Sequence, residues 1–496
     1  MGKRFFDLIR QFSVSIMLLI MSTLVIIFSS KTGFATTVTQ SPTPTILSSF
    51  AGSSNQLYTP PSPTIAANKN ETIQLLNGTY LIHTNAGVTK SGTVASLINT
   101  PNTFTGDPQV LWDGQTNRFY FSYYEFINNN GIGQPGIVWG YSKTANPSGP
   151  KSFCTYFNPF NYGSTYFPDR QNLGDTKNFL LIGSNRYTLY TNYIQDSDLA
   201  YIAKPPAGNT CVNGSTLNSG IQSLKNPDGV SSPWMPTPAK QVDPLNTSYV
   251  VGVPSYVSGD TLTEYTITEN LTNNSININS PTSVTIPSYT FPHYATQAGK
   301  TIAGNPAPPL ETQTYLAQTI MAFDPRVNGY ALWTAQTDAG GAGTKVDWYE
   351  INPASSTLYQ TGTISDPNLN IFNAAISPDR VYLSGKGHFG NSAVITFNTS
   401  SANAYTAIDV ISIVNGQPQS SMQLIKQSTG PDVDMTCSTS TAAYCRWGDY
   451  PGAVPNPASP ITGATMGQVL ISNEWNLPDI NDNTLVWQTI IANINP

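Results

Sequence analysis

The sequence has few charged side chains and few that serve general catalysis. Of its 496 residues, 10% are Asp, Glu, Lys or Arg, and three are histidine. His83, His293 and His388 are not accompanied by a Gly-x-Ser-x-Gly elbow, which argues against a Ser-His-Asp hydrolase. No zinc, haem or dinucleotide motif is present. The glycines of "DAGGAGTK" precede a strand-like run rather than a helix, which argues against a phosphate-binding loop.

Basic residues are particularly scarce. The chain has 22 Lys and Arg against 28 Asp and Glu, a net charge of −6. Leaving out the first 35 residues removes four basic residues and one acidic residue, so the remaining chain carries a net charge near −9. Nucleic acids and anionic lipids are therefore poor partners.

One long apolar run, Phe12 to Phe28, follows the basic leader "MGKRFFDLIRQ". This pattern predicts an export segment. Gly33 and Ala35 supply the small residues that a signal peptidase needs, which favours cleavage after Ala35. The alternative is an uncleaved membrane anchor, because 17 apolar residues lie at the lower limit for spanning a bilayer. Either reading places the protein outside the cell or at its surface, with membrane contact only through this segment.

Four cysteines suit an exported chain as two disulfides rather than free thiols, although four cysteines allow three pairings. Proximity in sequence favours Cys154 with Cys211 and Cys437 with Cys445. Seven Asn-x-Ser/Thr sequons are also potential glycan acceptors. They are Asn70, Asn77, Asn213, Asn246, Asn270, Asn273 and Asn398.

Residues 36–68 are rich in Pro, Ser and Thr with little to bury, which predicts a linker. Residues 69–496 lack any long helical period and show short aromatic and β-branched runs broken by Gly, Pro, Asn and Asp. This is typical of an all-β domain.

A strand–turn–strand unit recurs six times in that domain. The copies start about 55 to 80 residues apart, enough for four antiparallel strands each, which is one blade of a β-propeller. Their starts are Gly106, Leu173, Thr237, Ala317, Phe372 and Gly448. We therefore predict a six-bladed β-propeller, closed by pairing of Leu485 to Asn493 with a strand near Thr72; the alternative is an array of two-sheet sandwiches.

The stretches "LGDTKNFLLIG", "LWTAQTDAGGAGTKVDWYEINP", "FNAAISPD" and "RWGDYPGAVPNP…VLISNEWN" resemble those of secreted microbial proteins with a sialidase-like six-bladed propeller, mostly of unassigned activity. The resemblance covers roughly residues 100 to 480. In true sialidases the fold implies three arginines that hold the substrate carboxylate, a Tyr–Glu nucleophile pair and an Asp acid/base.

Arginines are too few for that triad. Only six follow the leader, and Arg118, Arg186, Arg326 and Arg380 lie in or beside predicted turns. No Arg-Ile-Pro or Arg-Leu-Pro tripeptide and no good Ser-x-Asp-x-Gly-x-Thr-Trp box is present. The sequence therefore argues against sialidase activity.

Polar residues just before each first strand are expected to face the channel mouth. In the repeats these positions hold Asp107, Asp175 with Lys177, Gln318, Asn373, and Asp449 with Tyr450. Loops beside them add Asp169 and Arg170, Lys386 and His388, and Arg446 and Trp447. Converging polar groups at a ring axis predict a ligand site; alternatively they bind ordered water and pin blade to blade.

Arginine beside aromatic residues would suit an acidic glycan; the alternative for Arg446 and Asp449 is one internal ion pair. The sequence favours a binding or scaffold protein whose ligand is extracellular glycan. The alternative is a glycoside hydrolase or lyase using carboxylates from the set Asp175, Asp449 and Glu474. A third reading is a structural envelope protein.

No cofactor is expected from the sequence, although two acidic stretches are compatible with structural calcium. One contains Asp432 and Asp434, and the other runs from Asp479 to Asn483 without the Gly and distal Glu of an EF-hand. Solvated acidic turns are the alternative for both.

Overall fold

The computed structural model describes residues 39–54, 58–98, 104–129, 132–189, 194–301, 304–312, 316–434, 436–439, 444–478 and 485–496. Residues 40–496 form one compact unit. The predicted export segment and the acidic stretch Asp479 to Asn483 lie outside the described residues. Within the described ranges, no helix is long and apolar enough to cross a membrane.

The domain is built almost entirely from β-strands, which confirms the all-β prediction. The described residues also include two short α-helices, α1 (Val94–Ile98) and α2 (Thr436–Thr439), and two 3-10 turns, at Pro150–Ser152 and Gly214–Thr216. The described residues form five four-stranded antiparallel sheets, one nine-stranded sheet and one two-stranded hairpin. We divide the nine-stranded sheet at its single parallel pair, which gives sheets 1 to 7, and the first described strand, β1 (Thr45–Ala51), belongs to sheet 7.

Sheets 1 to 3 use consecutive strands in simple up-and-down order. Sheet 1 contains β2 (Thr64–Ala67), β3 (Glu71–Leu75), β4 (Thr79–Thr84) and β5 (Thr89–Thr93). Sheet 2 contains β6 (Phe104–Asp113), β7 (Arg118–Asn129), β8 (Ile132–Ser142) and β9 (Phe153–Asn158). Sheet 3 contains β10 (Tyr166–Asp175), β11 (Phe179–Thr188), β12 (Ile194–Ala203) and β13 (Ser219–Leu224).

Sheets 4 and 5 are also joined along the channel wall, where their first strands pair in parallel. Sheet 4 contains β14 (Trp234–Gln241), β15 (Thr247–Val253), β16 (Ser258–Asn270) and β17 (Ser275–Ile278), with β18 (Thr282–Thr290) also paired to β16. Sheet 5 contains β19 (Thr319–Asp324), β20 (Gly329–Gly340), β21 (Gly343–Asn352) and β22 (Thr357–Ile364).

The last two sheets depart from consecutive order. In sheet 6 a small hairpin interrupts the sequence of strands, and sheet 7 takes one strand from the start of the domain. Sheet 6 contains β23 (Asn370–Pro378), then the separate hairpin β24 (Val381–Leu383) and β25 (Lys386–His388), then β26 (Ala393–Ser401), β27 (Ala404–Ile413) and β28 (Gln423–Gln427). Sheet 7 contains β29 (Gly452–Pro455), β30 (Val469–Pro478), β31 (Leu485–Asn495) and β1.

Buried apolar clusters fill the space between every two neighbouring sheets, in order around a ring. The final cluster packs Ile65 and Leu81 of sheet 1 against Val454 and Ile491 of sheet 7, which closes the ring. The fold is therefore a β-propeller, and the predicted count of six blades is not confirmed, because seven sheets make up the described ring. The repeat missed in the sequence is sheet 1, which begins within the Pro-rich segment 36–68.

The closure predicted for the ring is wrong. β31 pairs with β30 on one side and with β1 on the other, and not with the strand near Thr72. The segment 36–68, predicted as a linker, instead contributes β1 and β2 to the domain. β1 is the outermost strand and is mostly exposed, so it carries no buried alternation that would identify it in the sequence.

Because both faces of each sheet are buried, the strands appear in the sequence as continuous apolar runs. In β11, Leu180 and Ile182 pack against sheet 2, whereas Phe179 and Leu181 pack against sheet 4. Each face of the sheet therefore selects apolar residues, and the alternation expected of a half-buried strand is lost.

A bulge recurs near the start of the inner strands, which are the first strands of the sheets. Asp107, Arg170, Met235 and Asn373 have positive φ angles of 51°, 52°, 49° and 55°. At each of them the pairing register to the second strand shifts. Asp449, just before β29, has a φ of 78°. A bulge redirects the side chain of the bulged residue. One side chain of each of these inner strands is therefore directed toward the end of the channel at which the inner strands start.

The two predicted disulfides are confirmed. Cys154 is bonded to Cys211 and Cys437 to Cys445, with sequence separations of 57 and 8 residues. The first ties the outer strand of sheet 2 to the loop before β13. The second holds the loop that leads into β29.

Candidate functional site

A cavity of about 370 Å³ lies where the inner strands begin, at what we call the mouth of the channel. Polar and aromatic side chains dominate its lining. The lining residues are Tyr58, Thr59, Pro60, Asn77, Thr105, Gly106, Asp107, Tyr124, Asp169, Arg170, Tyr187, Thr436, Arg446 and Asp449. Five of the predicted site residues therefore lie together: Asp107, Asp169, Arg170, Arg446 and Asp449.

The arginines of the mouth are held by carboxylates. Arg446 donates from Nη2 to Asp449 Oδ2 at 2.6 Å, and its Nε lies 2.7 Å from Glu311 Oε2 as an ion contact without hydrogen-bond alignment. Arg170 Nη2 lies 3.9 Å from Glu311 Oε1. The Arg446 side chain is nevertheless 39% exposed. It therefore lines the cavity while Asp449 and Glu311 balance its positive charge.

Asp107 lies at the centre of the acidic groups. Its Oδ2 accepts the backbone N–H of Arg170 at 2.8 Å and the Tyr450 hydroxyl at 3.5 Å, and its side chain hydrogen-bonds with Asp169. Burial, followed by the neighbouring charges of Asp169 and Asp449, raises the pKa of Asp107 well above its usual range. Burial and these neighbouring charges therefore favour the protonated form of Asp107 more than in an ordinary aspartate.

Tyrosines complete the wall of the mouth. Burial raises the pKa of Tyr187 to about 12 and the pKa of Tyr124 well above its usual value, so both hydroxyls stay neutral. The Tyr187 ring lies beside Trp234, whose face is 5.7 Å from the Arg170 guanidinium. The cavity thus offers neutral hydroxyl groups and aromatic rings next to compensated charges.

Asp175 and Lys177 were predicted at the mouth, and this placement is wrong. Asp175 is the last residue of β10, at the opposite end of the channel. Lys204 binds both Asp175 at 2.7 Å and Asp113 at 2.8 Å, in a buried network between sheets 2 and 3. Lys177 lies exposed in the turn that follows. The error arose because "FLLIG" was taken as the inner strand, although it belongs to the second strand, β11.

Lys386 and His388 are also at the opposite end. Both belong to β25 in the hairpin that follows β23, so they leave the inner strand where it ends. Neither lines the mouth cavity. In the sequence this hairpin resembles the second strand of the repeat, and it was therefore taken as the partner of β23. The strand that pairs with β23 is β26.

Three further predicted site residues are buried scaffold. Trp447 packs among loop residues and donates from Nε1 to Asn398 Oδ1 at 3.1 Å. Asn373 donates to the same oxygen at 2.9 Å. Gln318 donates to backbone carbonyls of sheets 6 and 7, Ile376 O and Ala453 O. Tyr450 is buried as well, and only its hydroxyl approaches Asp107.

Glu474 does not line the cavity either. It is buried on β30, where its Oε2 accepts the backbone N–H of Gly448 at 2.8 Å. Gly448 has a φ of +74°, and a Cβ there would lie 2.1 Å from Asn373 Nδ2, so this position requires glycine. Burial raises the pKa of Glu474 well above its usual range.

The first stretch considered for calcium is buried around Asp432. Its carboxyl oxygens lie near the sulfurs of Cys437 and Cys445. Those sulfurs form a disulfide and are not thiolates, so they do not supply metal ligands. Asp434 accepts hydrogen bonds from Thr436 and Thr59.

Three residues at the mouth were not predicted from the sequence: Glu311, Tyr124 and Tyr187. Glu311 comes from the long connection between β18 and β19, where no repeat position marks it. Tyr124 and Tyr187 lie on second strands beside the bulges, and only the correct pairing register would have aligned them with the mouth.

No family profile matches the sequence, and no curated protein sequence matches it either. Among solved structures, the chain is similar to the Trypanosoma rangeli sialidase with 9% identity and a TM-score of 0.39, over 89% of this chain and 59% of that one. It is similar to the parainfluenza virus 5 hemagglutinin-neuraminidase ectodomain with 10% identity and a TM-score of 0.40, over 86% and 98% of the two chains. An exo-beta-1,3-galactanase from Clostridium thermocellum has 11% identity and a TM-score of 0.30, over 89% and 96%. The chain thus spans about 59% of the length of the trypanosomal sialidase.

Proposed function

We propose that the protein is an extracellular glycan-binding propeller whose mouth cavity holds an uncharged sugar unit. The observation that carries this proposal is the convergence of arginine–carboxylate pairs, the buried Asp107 carboxyl group and tyrosine hydroxyls around one cavity of about 370 Å³. Such groups donate and accept hydrogen bonds in pairs, as sugar hydroxyls require, and aromatic rings beside them suit the apolar face of a sugar. Two disulfides fit an oxidising compartment outside the cell.

The charge balance favours a neutral sugar over an acidic one. Arg446 is already engaged by Asp449 and Glu311, and Arg170 shares Glu311. Carboxyl groups therefore outnumber these two arginines at the mouth, because Asp107 and Asp169 lie beside Asp449 and Glu311. A sugar carboxylate would therefore add negative charge without finding a cation free to hold it.

A glycan array with neutral and acidic glycans, probed with the exported part of the chain, tests this function. The best ligand should then bind Arg446→Gln and Tyr187→Phe at least about tenfold more weakly in calorimetric titration, as expected for losing a hydrogen bond to a sugar hydroxyl. Lys177→Gln is the matched control, because Lys177 is exposed at the other end of the channel and should leave the affinity unchanged.

Two outcomes would contradict the proposal. One is the absence of binding to every neutral glycan. The other is a ligand whose affinity is unaffected by Arg446→Gln and Tyr187→Phe, provided that both variants unfold at the wild-type temperature. Tyr187→Phe removes only a hydroxyl, so it keeps the test valid if loss of the Arg446 charge perturbs the loop.

Glycoside hydrolysis is the second candidate, and one observation favours it. Asp107, whose pKa is raised by burial, lies beside the carboxyl groups of Asp169 and Asp449 in an accessible cavity, so a candidate general acid and further carboxyl groups are present there. Neutral aryl glycosides test it by release of the aryl alcohol. Activity that disappears in Asp107→Asn, with unchanged thermal stability, would support catalysis; no turnover of any glycoside leaves binding as the function.

A further inference from the structure

A second cavity, here called the base cavity, lies at the end of the channel where the inner strands finish. Its volume is about 60 Å³. It is lined by Ala66, Ala67, Leu111, Trp112, Gly114, Lys240, Gln241, Val242, Ile320, Arg380, Tyr382, Val454, Pro455 and Pro457. No described residue is shared with the mouth cavity, so the two are separate sites.

Lys240 carries an unpartnered charge into this cavity. It lies near the end of β14, and the residue is only 7% exposed. Among the described residues, no hydrogen bond or ion pair holds its Nζ, and the charge of Asp175 acts on it without such a contact. Lys204, between sheets 2 and 3, shows the usual alternative, because two carboxylates bind its ammonium group within 3 Å.

The lining offers no anion to compensate Lys240. It contains no aspartate or glutamate, and its second cation, Arg380, is already bound through Nη2 to Asp243 Oδ1 at 2.7 Å. The remaining walls are mostly apolar. Burial lowers the pKa of Lys240 to about 8, because the negative charge of Asp175 only partly offsets the desolvation of the ammonium group.

We infer that the base cavity is a binding site for a small carboxylate anion, held by the Lys240 ammonium group. The apolar walls around the amine suit the short hydrocarbon part of such an acid. A cavity of about 60 Å³ accepts roughly four to six water-sized groups, which is enough for a carboxylate with one or two carbons attached. The anion neutralises a buried charge that the fold leaves unpaired, and this compensation supplies the binding energy.

Acetate is the probe for this site. Calorimetric titration at pH 6.5 should show saturable acetate binding to the wild type. In Lys240→Met binding should weaken at least about tenfold, as expected for losing a charge-assisted hydrogen bond. Lys386→Met is the matched control, because Lys386 is an exposed lysine at the same end of the channel and should leave acetate binding unchanged.

The pH dependence provides a second readout. Acetate affinity should fall as pH rises through about 8, since only the ammonium form of Lys240 binds the anion. Among the buried charged groups at this end, Asp113 and Asp175 pair with Lys204, and Asp243 pairs with Arg380. Asp379 accepts backbone N–H groups, and Lys177 and Lys386 lie exposed. Tyr382 is the remaining titratable residue of the lining.

Amine labelling keeps the inference testable if Lys240→Met does not fold. Acetate should slow acylation of Lys240 in the wild type, measured by mass spectrometry of the peptide, and should leave the acylation rate of Lys386 unchanged. Acetate binding that survives in Lys240→Met, or equal labelling of Lys240 with and without acetate, would overturn the inference.

Discussion

Replacing Lys204 tests whether Asp175 supports the fold rather than catalysis. Lys204 is buried and bridges Asp113 of sheet 2 and Asp175 of sheet 3 at 2.8 and 2.7 Å. Lys204→Met keeps the apolar stem but leaves two buried carboxylates without a cation. Breaking a buried ion pair in this way costs about 3–5 kcal/mol, so we expect the free energy of unfolding at pH 7.5 to fall by that amount.

The sign of the pH dependence follows from the two carboxyl groups. Lys204 lowers the pKa of Asp113, so the Asp113–Lys204 contribution exists at neutral pH and is lost as pH falls. Burial raises the pKa of Asp175 to about 6, so stability is lost as pH rises through about 6. Without Lys204 the cost of ionising both groups grows. The difference between wild type and Lys204→Met should therefore be largest at pH 7.5 and smaller at pH 5.

Urea denaturation followed by tryptophan fluorescence measures both quantities. Lys177→Met is the control, because this exposed lysine lies two residues from Asp175 and its replacement should change stability by less than about 0.5 kcal/mol. A Lys204→Met protein as stable as the wild type at pH 7.5, or one whose deficit grows toward pH 5, would refute the reasoning.

Three other predictions concern the scaffold. Replacing the cysteines of the Cys154–Cys211 bond by serine should lower the free energy of unfolding by roughly 4 kcal/mol, and replacing those of Cys437–Cys445 should lower it by roughly 2.5 kcal/mol. The two losses differ because the first disulfide closes the longer loop, so equal losses in denaturation experiments would contradict this. Asn398 is 0% exposed, and its amide group donates hydrogen bonds to Ala407 O and Glu474 O. Asn398→Ala should therefore lower the free energy of unfolding by about 3 kcal/mol. Because the side chain is buried, mass spectrometry should find no glycan on this sequon. Deleting β1 should expose the edge of β31 and produce concentration-dependent association in size-exclusion chromatography, whereas a monomer at all concentrations would argue against closure by β1.

Local rules were sufficient for much of the fold. The all-β class follows from short runs of β-branched and aromatic residues, and both disulfides follow from sequence proximity. Asp107 and Asp449 were correctly placed at the mouth because each sits directly before apolar strand residues and a turn. These features depend on neighbours in the chain.

Other features depend on contacts that the sequence does not reveal. Asp175 looks like the start of a repeat, and only the partner strand shows that it ends β10. Trp447 looks available for a ligand, although a loop cluster and Asn398 enclose it. Glu311 comes from a connection without any repeat, yet it contacts both arginines of the mouth. Burial and long-range pairing decide these roles.

The most direct test of the central claim is a crystal structure with the best neutral glycan from the array. The account predicts density for one sugar unit in the mouth cavity, with its hydroxyls within hydrogen-bond distance of Asp107 and Arg446. Sugar bound elsewhere on the propeller, with the mouth cavity containing only water at saturating glycan, would contradict it.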